Sequence, residues 1–266
     1  MVERSPKVSS GLSRLGGPRR LRVVTYNVHK CRGLDRQVRP ERIAEVLRGL
    51  DADVIALQEV LSGNPKNGTA RHDQVGAIAA ELGGYEFCFG ENRLLGDGSS
   101  YGNAVLSRFS IIRWAHYDVS HRRKERRGCL RADLRLTAGA DGNRVLHIFN
   151  VHLGTGFLER RHQGPKLLSE RILRHAALSG PRIVLGDFNE WVRGLTTRLL
   201  SAALESADLE AFTRRRRTYP GVLPLMHLDH VYHDRSVHLE NFTIHRSRTA
   251  LVASDHLPLV ADFVLE

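Results

Sequence analysis

The stretch LRVVTYNVH, residues 21–29, predicts the kind of fold that this chain adopts. Its mostly apolar centre is typical of a buried strand, and a polar residue, Asn27, stands where that strand ends. Pro40–Leu50 follows as a predicted helix whose apolar residues fall on one face. DVIALQEV, residues 53–60, is again a buried strand. A strand, a helix and a second strand in this order predict two neighbouring parallel strands.

The same alternation continues outward from this unit, with a run of strands in the middle of the chain. We predict helices over His72–Leu82, Phe157–Leu178 and Leu195–Leu204, the second of them with an alternative break near Gly164-Pro165. We predict strands over residues 101–108, 110–119, 128–136, 143–153, 182–188, 228–233, 238–245 and 257–265, with a hairpin turn at 140–143. Mixed pairing over so many strands indicates an α/β (α+β) architecture of two packed β-sheets with helices outside.

Residues 21–266 contain no internal repeat and no linker, so we predict a single domain there. Residues 1–20 are basic and rich in Ser, Gly and Arg, and lack the apolar centre of a signal peptide, so we predict a flexible leader. No apolar stretch approaches the roughly 20 residues that cross a bilayer. The three cysteines are widely spaced without a CxxC pair, which favours reduced thiols in a cytoplasmic protein.

The chain is strongly basic, with 40 Lys and Arg against 29 Asp and Glu and a formal charge of +11. Such a surface attracts polyanions, which makes nucleic acid, anionic lipid headgroups and phosphorylated metabolites candidate partners. Nearly all of this charge is arginine, so a genome biased toward arginine codons explains it equally well. Arg122–Arg127 and Arg214–Arg217 are basic clusters in predicted loops. A solvated loop is favoured for the second cluster, whereas Arg127 directly precedes a strand and is the better candidate for phosphate contact.

Polar residues stand at the ends of the apolar strands in six places. These are Asn27, Gln58-Glu59, His152, Asp187 with Asn189, Asp229-His230 and Asp255-His256. Each alone has an ordinary structural explanation, such as a turn or a helix cap. Together they indicate one shared polar site, because ionised groups beside apolar strands are costly unless paired or metal-bound. Oxygen donors dominate and no thiolate is present, which favours Mg²⁺, or alternatively Mn²⁺, over zinc.

Six motifs in order, TYNVH, LQEV, NVHL, GDFN, LDHV and SDHLPL, resemble those of the endonuclease/exonuclease/phosphatase superfamily, which has the deoxyribonuclease I-like fold. The resemblance covers residues 21–266, and GDFN followed much later by SDH is its most specific part. It implies a four-layer sandwich of two mixed sheets flanked by helices. It also implies phosphoester hydrolysis by an activated water, without a covalent nucleophile.

The resemblance also implies a role for each matching residue. Asn27, Glu59 and Asp255 match metal-binding positions, Asp187 matches the water-activating carboxylate and Asn189 its partner, Asp229 matches the carboxylate that fixes His256, and His256 and His152 match phosphate-contacting histidines. A bound cation and flanking imidazolium groups would stabilise the charge that develops on the phosphate. Arg127, Tyr101 and Asn103 are further candidates for substrate contact, although Asn103 has a buried turn as its alternative explanation.

These motifs do not identify the substrate. His152 stands where exonuclease III-like repair enzymes have a tyrosine, so the pattern is more similar to deoxyribonuclease I and the bacterial sphingomyelinases. Thr218–Leu228, taken with TYNVHK, resembles an uncharacterised bacterial branch of the superfamily. A phosphodiesterase on nucleic acid or a phospholipid-type diester is favoured. The alternatives are a phosphomonoesterase on a soluble metabolite and a non-catalytic phosphate-binding module. No obligate protein partner is evident.

Overall fold

Two six-stranded β-sheets lie face to face in the computed structural model, which describes residues 19–63, 68, 72–122, 124–136, 144–190, 192–207, 217–221, 223 and 225–265. The first sheet runs, in spatial order, β11 (Val237–Ile244), β12 (Leu259–Leu265), β1 (Arg19–Asn27), β2 (Val54–Ser62), β4 (Ser100–Ser107) and β3 (Glu86–Leu94). The second runs β5 (Ile111–Asp118), β6 (Gly128–Leu136), β7 (Arg144–His152), β8 (Arg182–Asp187), β10 (Asp229–His233) and β9 (Glu205–Ser206).

Helices cover the outer face of each sheet. Those on the first sheet are α1 (Pro40–Arg48), α2 (Gln74–Leu82) and α5 (Ala250–Ala253), and those on the second are α3 (Phe157–Leu167) and α4 (Leu195–Ala203). Strand β1 is apolar on both faces because both faces are buried. Val23 packs between the two sheets, whereas Val24 packs under the helices, as the two-residue period of a strand requires. The predicted four-layer architecture is confirmed.

Strand direction brings the six polar positions to one edge. β1 and β2 are parallel, as predicted, and so are β7 and β8, so both pairs end with their carboxyl termini at a common edge. β10 is antiparallel to β8, and its first residue, Asp229, pairs with the last residue of β8, Asp187. His256 precedes β12, which is antiparallel to β1. Strands β10 and β12 therefore begin at the edge where β1, β2, β7 and β8 end.

The structure differs from the sequence prediction in several places, and the short elements β9 and α5 were also not predicted. The prediction of a long helix over Phe157–Leu178 is wrong beyond Leu167, where α3 ends. Pro165 lies inside α3, and the chain then continues in tight turns that let Leu168 and Ile172 pack on the second sheet. Strand β3 was not predicted, because its polar and largely exposed sequence lacks an apolar pattern. Strand β1 already begins at Arg19, inside the predicted leader.

Some predictions lie outside the described residues. Residues 1–18 of the predicted leader, the hairpin turn at 140–143 and residues 214–216 of the second basic cluster are among them. Within the described ranges, no helix is long and apolar enough to cross a bilayer. All three cysteines are free and buried.

Candidate active site

Asp187 lies at the centre of the polar cluster. Its Oδ2 atom accepts a hydrogen bond from Asn27 Nδ2 at 2.9 Å, and it lies 3.7 Å from His152 Nε2 and 3.8 Å from His256 Nε2. Its Oδ1 atom accepts the backbone N–H of Asn189 at 2.9 Å. Burial raises the pKa of Asp187 to about 6, with the charge of His256 opposing the shift. A carboxylate that titrates near neutrality is suited to accepting a proton from water.

Gly186 explains how Asp187 reaches this position. The strand approaches its parallel neighbour so closely that a Cβ atom on Gly186 would lie 1.9 Å from the carbonyl oxygen of Val151, and its φ of 145° also favours glycine. The close approach places the last residues of the two strands, Asp187 and His152, opposite each other. The glycine of the GDFN motif is therefore a steric requirement of the site.

Asp229 and His256 form a buried ion pair beside Asp187. His256 Nδ1 lies 3.0 Å from Asp229 Oδ2, and neither side chain is more than slightly exposed. Burial by itself lowers the pKa of His256, but the negative charges of Asp229 and Asp187 outweigh burial and raise it to about 10. His256 is therefore an imidazolium near neutral pH, with its Nε2–H directed toward the centre of the site.

His152 is in the opposite protonation state. Burial lowers its pKa well below the usual value, and the charges of Arg127 and His256 lower it further. Arg127 Nη1 lies 3.5 Å from His152 Nδ1, so Nδ1 accepts this contact and Nε2 carries the proton. The expectation of two flanking imidazolium groups is therefore wrong for His152, which is a neutral donor. Arg127 is itself buried and also pairs with Glu125 at 2.8 Å.

Of the three residues expected to hold a metal ion, the two carboxylates, Glu59 and Asp255, are partly exposed, whereas the amide of Asn27 is buried. Asn27 Nδ2 lies 3.5 Å from Glu59 Oε1. Asp255 Oδ2 instead contacts His29 Nδ1 at 3.0 Å. Burial raises the pKa of Asp255, but this hydrogen bond and the neighbouring histidine charges outweigh burial and lower it. Partly exposed carboxylates next to an amide are a donor set that suits a hard cation.

A second group of possible ligands is less suitable for a cation. Asp187, Asp229 and His256 each offer an atom within 4.8 Å of the others. However, His256 is positively charged there and occupies Asp229 Oδ2, so a cation would have to displace its proton. Asp229 Oδ1 is buried without a hydrogen-bond partner among the described residues, so part of the carboxylate's charge has no donor beside it. The partly exposed carboxylates therefore fit a metal ion better.

Left-handed backbone conformations are concentrated around the cluster. Glu59 has a φ of 55° where β2 bulges against β4, and Asn189 has a φ of 51°. His29, Lys30 and Cys31 follow one another with φ values of 46°, 56° and 56°. A non-glycine residue in this region costs about 1–2 kcal/mol, so such residues persist where the surrounding structure requires them. Two of them, Glu59 and Asn189, are themselves members of the polar cluster.

Buried amides join the two sheets directly beneath the site. The sequence analysis named Gln58 among the polar strand ends but missed Asn150. Asn150 Nδ2 donates to the carbonyl oxygens of Leu57 and Ala104, both at 2.8 Å. Gln58 Nε2 donates to Asn150 Oδ1 at 2.8 Å. These bonds cross from β7 to β2 and β4, so they fix the distance between His152 on one sheet and Glu59 on the other. An asparagine inside an apolar run, IFNVHL, was the available signal.

The substrate-contact candidates differ in their surroundings. Tyr101 is mostly buried beside Arg127, and Lys30 Nζ lies 5.2 Å from the centre of its ring. Asn103 is fully buried within β4 and donates to the carbonyl oxygen of Gly128 at 3.2 Å, so it connects the two sheets. Tyr219, which was not predicted, places its ring 4.9 Å from that of His256. The aromatic contact adds the segment around Tyr219 to the wall of the site.

The chain belongs to the Endonuclease/Exonuclease/phosphatase family, whose sequence model matches residues 24–256. Its fold is that of phosphoester hydrolases, so the resemblance seen in the motifs is confirmed. The chain is 29% identical over 254 residues to the uncharacterised protein YbhP of Escherichia coli strain K12, covering 92% of this chain and 96% of that protein.

Two solved structures illustrate the shared fold. An endonuclease/exonuclease/phosphatase from Beutenbergia cavernae matches with a TM-score of 0.70 and 24% identity, covering 93% of this chain and 72% of that one. A mannosyl-6-phosphatase from Bacteroides thetaiotaomicron matches with a TM-score of 0.71 and 18% identity, covering 92% of this chain and all (100%) of that one.

Proposed function

We propose that the chain is a divalent-metal-dependent phosphoester hydrolase in which an activated water attacks phosphorus directly. The observation that supports this most strongly is the position of Asp187. It lies buried within 4 Å of two histidines in opposite protonation states, with its oxygens held by Asn27 and by the backbone of Asn189. This arrangement contains a proton acceptor and a charged proton donor side by side.

Asp187 accepts a proton from the attacking water in this mechanism. Asn27 and the N–H of Asn189 hold the carboxylate in one orientation, so little reorganisation is needed as the proton moves. Asn189 fixes its own position by donating from Nδ2 to the carbonyl oxygen of Leu153 at 3.0 Å. The side-chain oxygen of Asn189 is then available to orient the water.

His256 and His152 stabilise the charge that develops on the phosphate. His256 carries a full positive charge and donates from Nε2, while Asp229 holds its ring from the other side. His152 donates as a neutral imidazole, and Arg127 supplies the nearby positive charge instead. Arg127, Tyr101 and Asn103 remain our candidates for substrate binding, with Arg127 the strongest because it directly contacts His152.

We assign metal binding to Glu59, Asp255 and the amide of Asn27. A bound Mg²⁺ or Mn²⁺ supplies Lewis acidity toward the phosphate oxygens. Four carboxylates lie in one site, where Asp229 is paired with His256 and Asp255 with His29, and this excess of carboxylates favours binding of a cation. A non-catalytic module is disfavoured because all six motifs supply their polar residues and strand direction brings them together.

A phosphodiester is our favoured substrate, on nucleic acid or a phospholipid-type molecule, because the chain is basic and NVHL resembles the diesterase branches. A phosphomonoester is the second candidate, since a structural neighbour is a mannosyl-6-phosphatase. Three free, buried cysteines favour our prediction of a cytoplasmic location.

A substrate panel tests the proposal. Purified protein is incubated with plasmid DNA, RNA, lysophospholipid and a phosphomonoester, each with Mg²⁺, with Mn²⁺ and with chelator. We expect hydrolysis of at least one substrate that requires the metal and is lost in Asp187→Asn, the matched inactive control. Activity that is equal in Asp187→Asn, or absent from every substrate, would count against the proposal.

A further inference from the structure

The segments that surround the active site expose large apolar side chains. Among the described residues, six of them form what we call the apolar rim: Leu34, Phe157, Leu158, Val192, Leu223 and Leu225. Leu34 follows the strand of Asn27, the next two follow the strand of His152, Val192 follows Asp187, and the last two precede Asp229. Leu158 is 71% exposed and Phe157 57%. Exposed apolar residues scattered singly are ordinary, but several of them on the segments that carry the site residues indicate a binding surface.

Cationic side chains accompany the apolar rim. The segment after β1 exposes Lys30, Arg32, Arg36 and Arg39, with Asp35 as an acidic residue among them. The loop between β5 and β6 exposes Arg122, Lys124 and Arg126, of which Arg126 pairs with Asp118. The chain as a whole carries +11. The face around the active site therefore combines apolar contact area with positive charge.

The basic loop and the apolar residues of α3 are neighbours. His121, in the loop, and His162, on α3, place their rings 4.7 Å apart. Arg161 holds its guanidinium 5.9 Å from the ring centre of Phe157. The same loop ends at Arg127, which contacts His152 in the active site. The basic loop, the apolar residues at the start of α3 and the reaction centre thus belong to one continuous face.

We propose that this face docks on an anionic lipid bilayer, which presents the phosphoester to the active site. The identity of the substrate rests on the proposed hydrolase function, and the docking narrows the substrate to a phosphoester carried by a lipid. Aliphatic side chains gain by leaving water for the acyl region, and the neighbouring cations gain by meeting anionic headgroups. Nucleic acid would use the cations, but it offers no apolar phase for Leu158 or Leu223.

Vesicle co-sedimentation tests the docking. Wild type is mixed with sucrose-loaded vesicles of phosphatidylglycerol and phosphatidylcholine, or of phosphatidylcholine alone, at low and high salt. We expect binding to the anionic vesicles that weakens as salt screens the cations. Phe157→Ser with Leu158→Ser should lower the partition constant about tenfold or more, because two apolar side chains no longer enter the bilayer.

A matched control pair comes from the far end of the sheets. Phe87→Ser with Ile112→Ser makes the same chemical change on edge strands, at side chains that are 43% and 42% exposed. Phe87 pairs with Leu106, and Ile112 follows Ile111, which pairs with Leu134. Phe87 and Ile112 therefore both lie away from the catalytic edge. We expect this pair to bind vesicles as wild type does. Equal losses in both double variants, or none in either, would overturn the docking surface.

Two further measurements separate docking from catalysis. Asp187→Asn should bind vesicles like wild type while hydrolysing phosphoesters at least about 10²-fold more slowly. Phe157→Trp with Leu158→Met, which keeps both side chains apolar, should bind vesicles as wild type does. Wild type that binds DNA strongly but anionic vesicles not at all would overturn the inference while leaving phosphoester hydrolysis intact. Vesicle binding without hydrolysis of any phosphoester would instead overturn the proposed function, and the lipid-borne substrate with it.

Discussion

The ion pair of Asp229 and His256 provides the sharpest prediction about how the site works. Asp229→Asn keeps the shape of the side chain and removes its charge from the 3.0 Å contact with His256 Nδ1. A charge-assisted hydrogen bond contributes about 1.5–3 kcal/mol, and each 1.4 kcal/mol is about tenfold in rate. Turnover should therefore fall roughly 10- to 150-fold. His256→Ala removes the donor itself and should cost about 10²–10³-fold.

The double variant decides whether the two residues act as one unit. If Asp229 works only through His256, turnover of the double variant should match that of His256→Ala within about threefold. Independent roles would instead multiply the two losses, to about 10³-fold or more. Initial rates are measured on the best substrate of the panel with saturating metal. A multiplied loss would refute our assignment of Asp229 as a positioning residue.

Melting temperatures supply the folding control for this cycle. His256→Ala leaves the charge of Asp229 buried without its partner, and breaking a buried pair in this way costs about 3–5 kcal/mol. Adding Asp229→Asn removes that charge. The double variant should therefore melt at a higher temperature than His256→Ala alone.

Three further predictions concern metal binding, phosphate contact and pH. Glu59→Gln should raise the Mg²⁺ concentration for half-maximal rate roughly tenfold or more without lowering the melting temperature, because Glu59 is partly exposed; an unchanged metal requirement would contradict its role. On a soluble substrate, which needs no docking surface, Arg127→Gln should impair KM and turnover, whereas Arg126→Gln, the exposed neighbouring control, should not; equal effects would contradict a specific role for Arg127. In chelator, the melting temperature should fall from about pH 7 toward pH 10, because the pKa of His256 is about 10 when folded and 6.5 when unfolded, so its stabilisation is lost as pH rises. His256→Ala should flatten that alkaline slope, and an unchanged slope would place its cause elsewhere.

Much of the fold could be predicted because its strands are buried on both faces. The apolar runs before Asn27 and Asp187 needed no knowledge of their partners to be identified as strands. Strand β3 could not be found in this way, since it forms a sheet edge whose exposed residues leave no pattern. The end of α3 at Leu167 depends on how later leucines pack on the second sheet, which is a tertiary effect.

The composition of the site could be predicted, but its protonation states could not. Polar residues at strand ends are visible in the sequence, and strand direction brings them together. The neutral state of His152 depends on complete burial and on Arg127 approaching it from the loop before β6. Likewise, the contact between His29 and Asp255 joins residues 226 positions apart, so no local sequence pattern indicates it.

Metal-dependent hydrolysis by an Asp187-activated water is tested most directly by the initial rate of bis(p-nitrophenyl) phosphate hydrolysis in chelator and after Mg²⁺ is restored, for wild type and Asp187→Asn side by side. We expect wild type to be inactive in chelator and to recover with Mg²⁺. We expect Asp187→Asn to stay at least about 10²-fold slower with the metal present, because its water has lost the proton acceptor. Wild-type hydrolysis that continues unchanged in chelator, or an Asp187→Asn variant as fast as wild type, would contradict this mechanism.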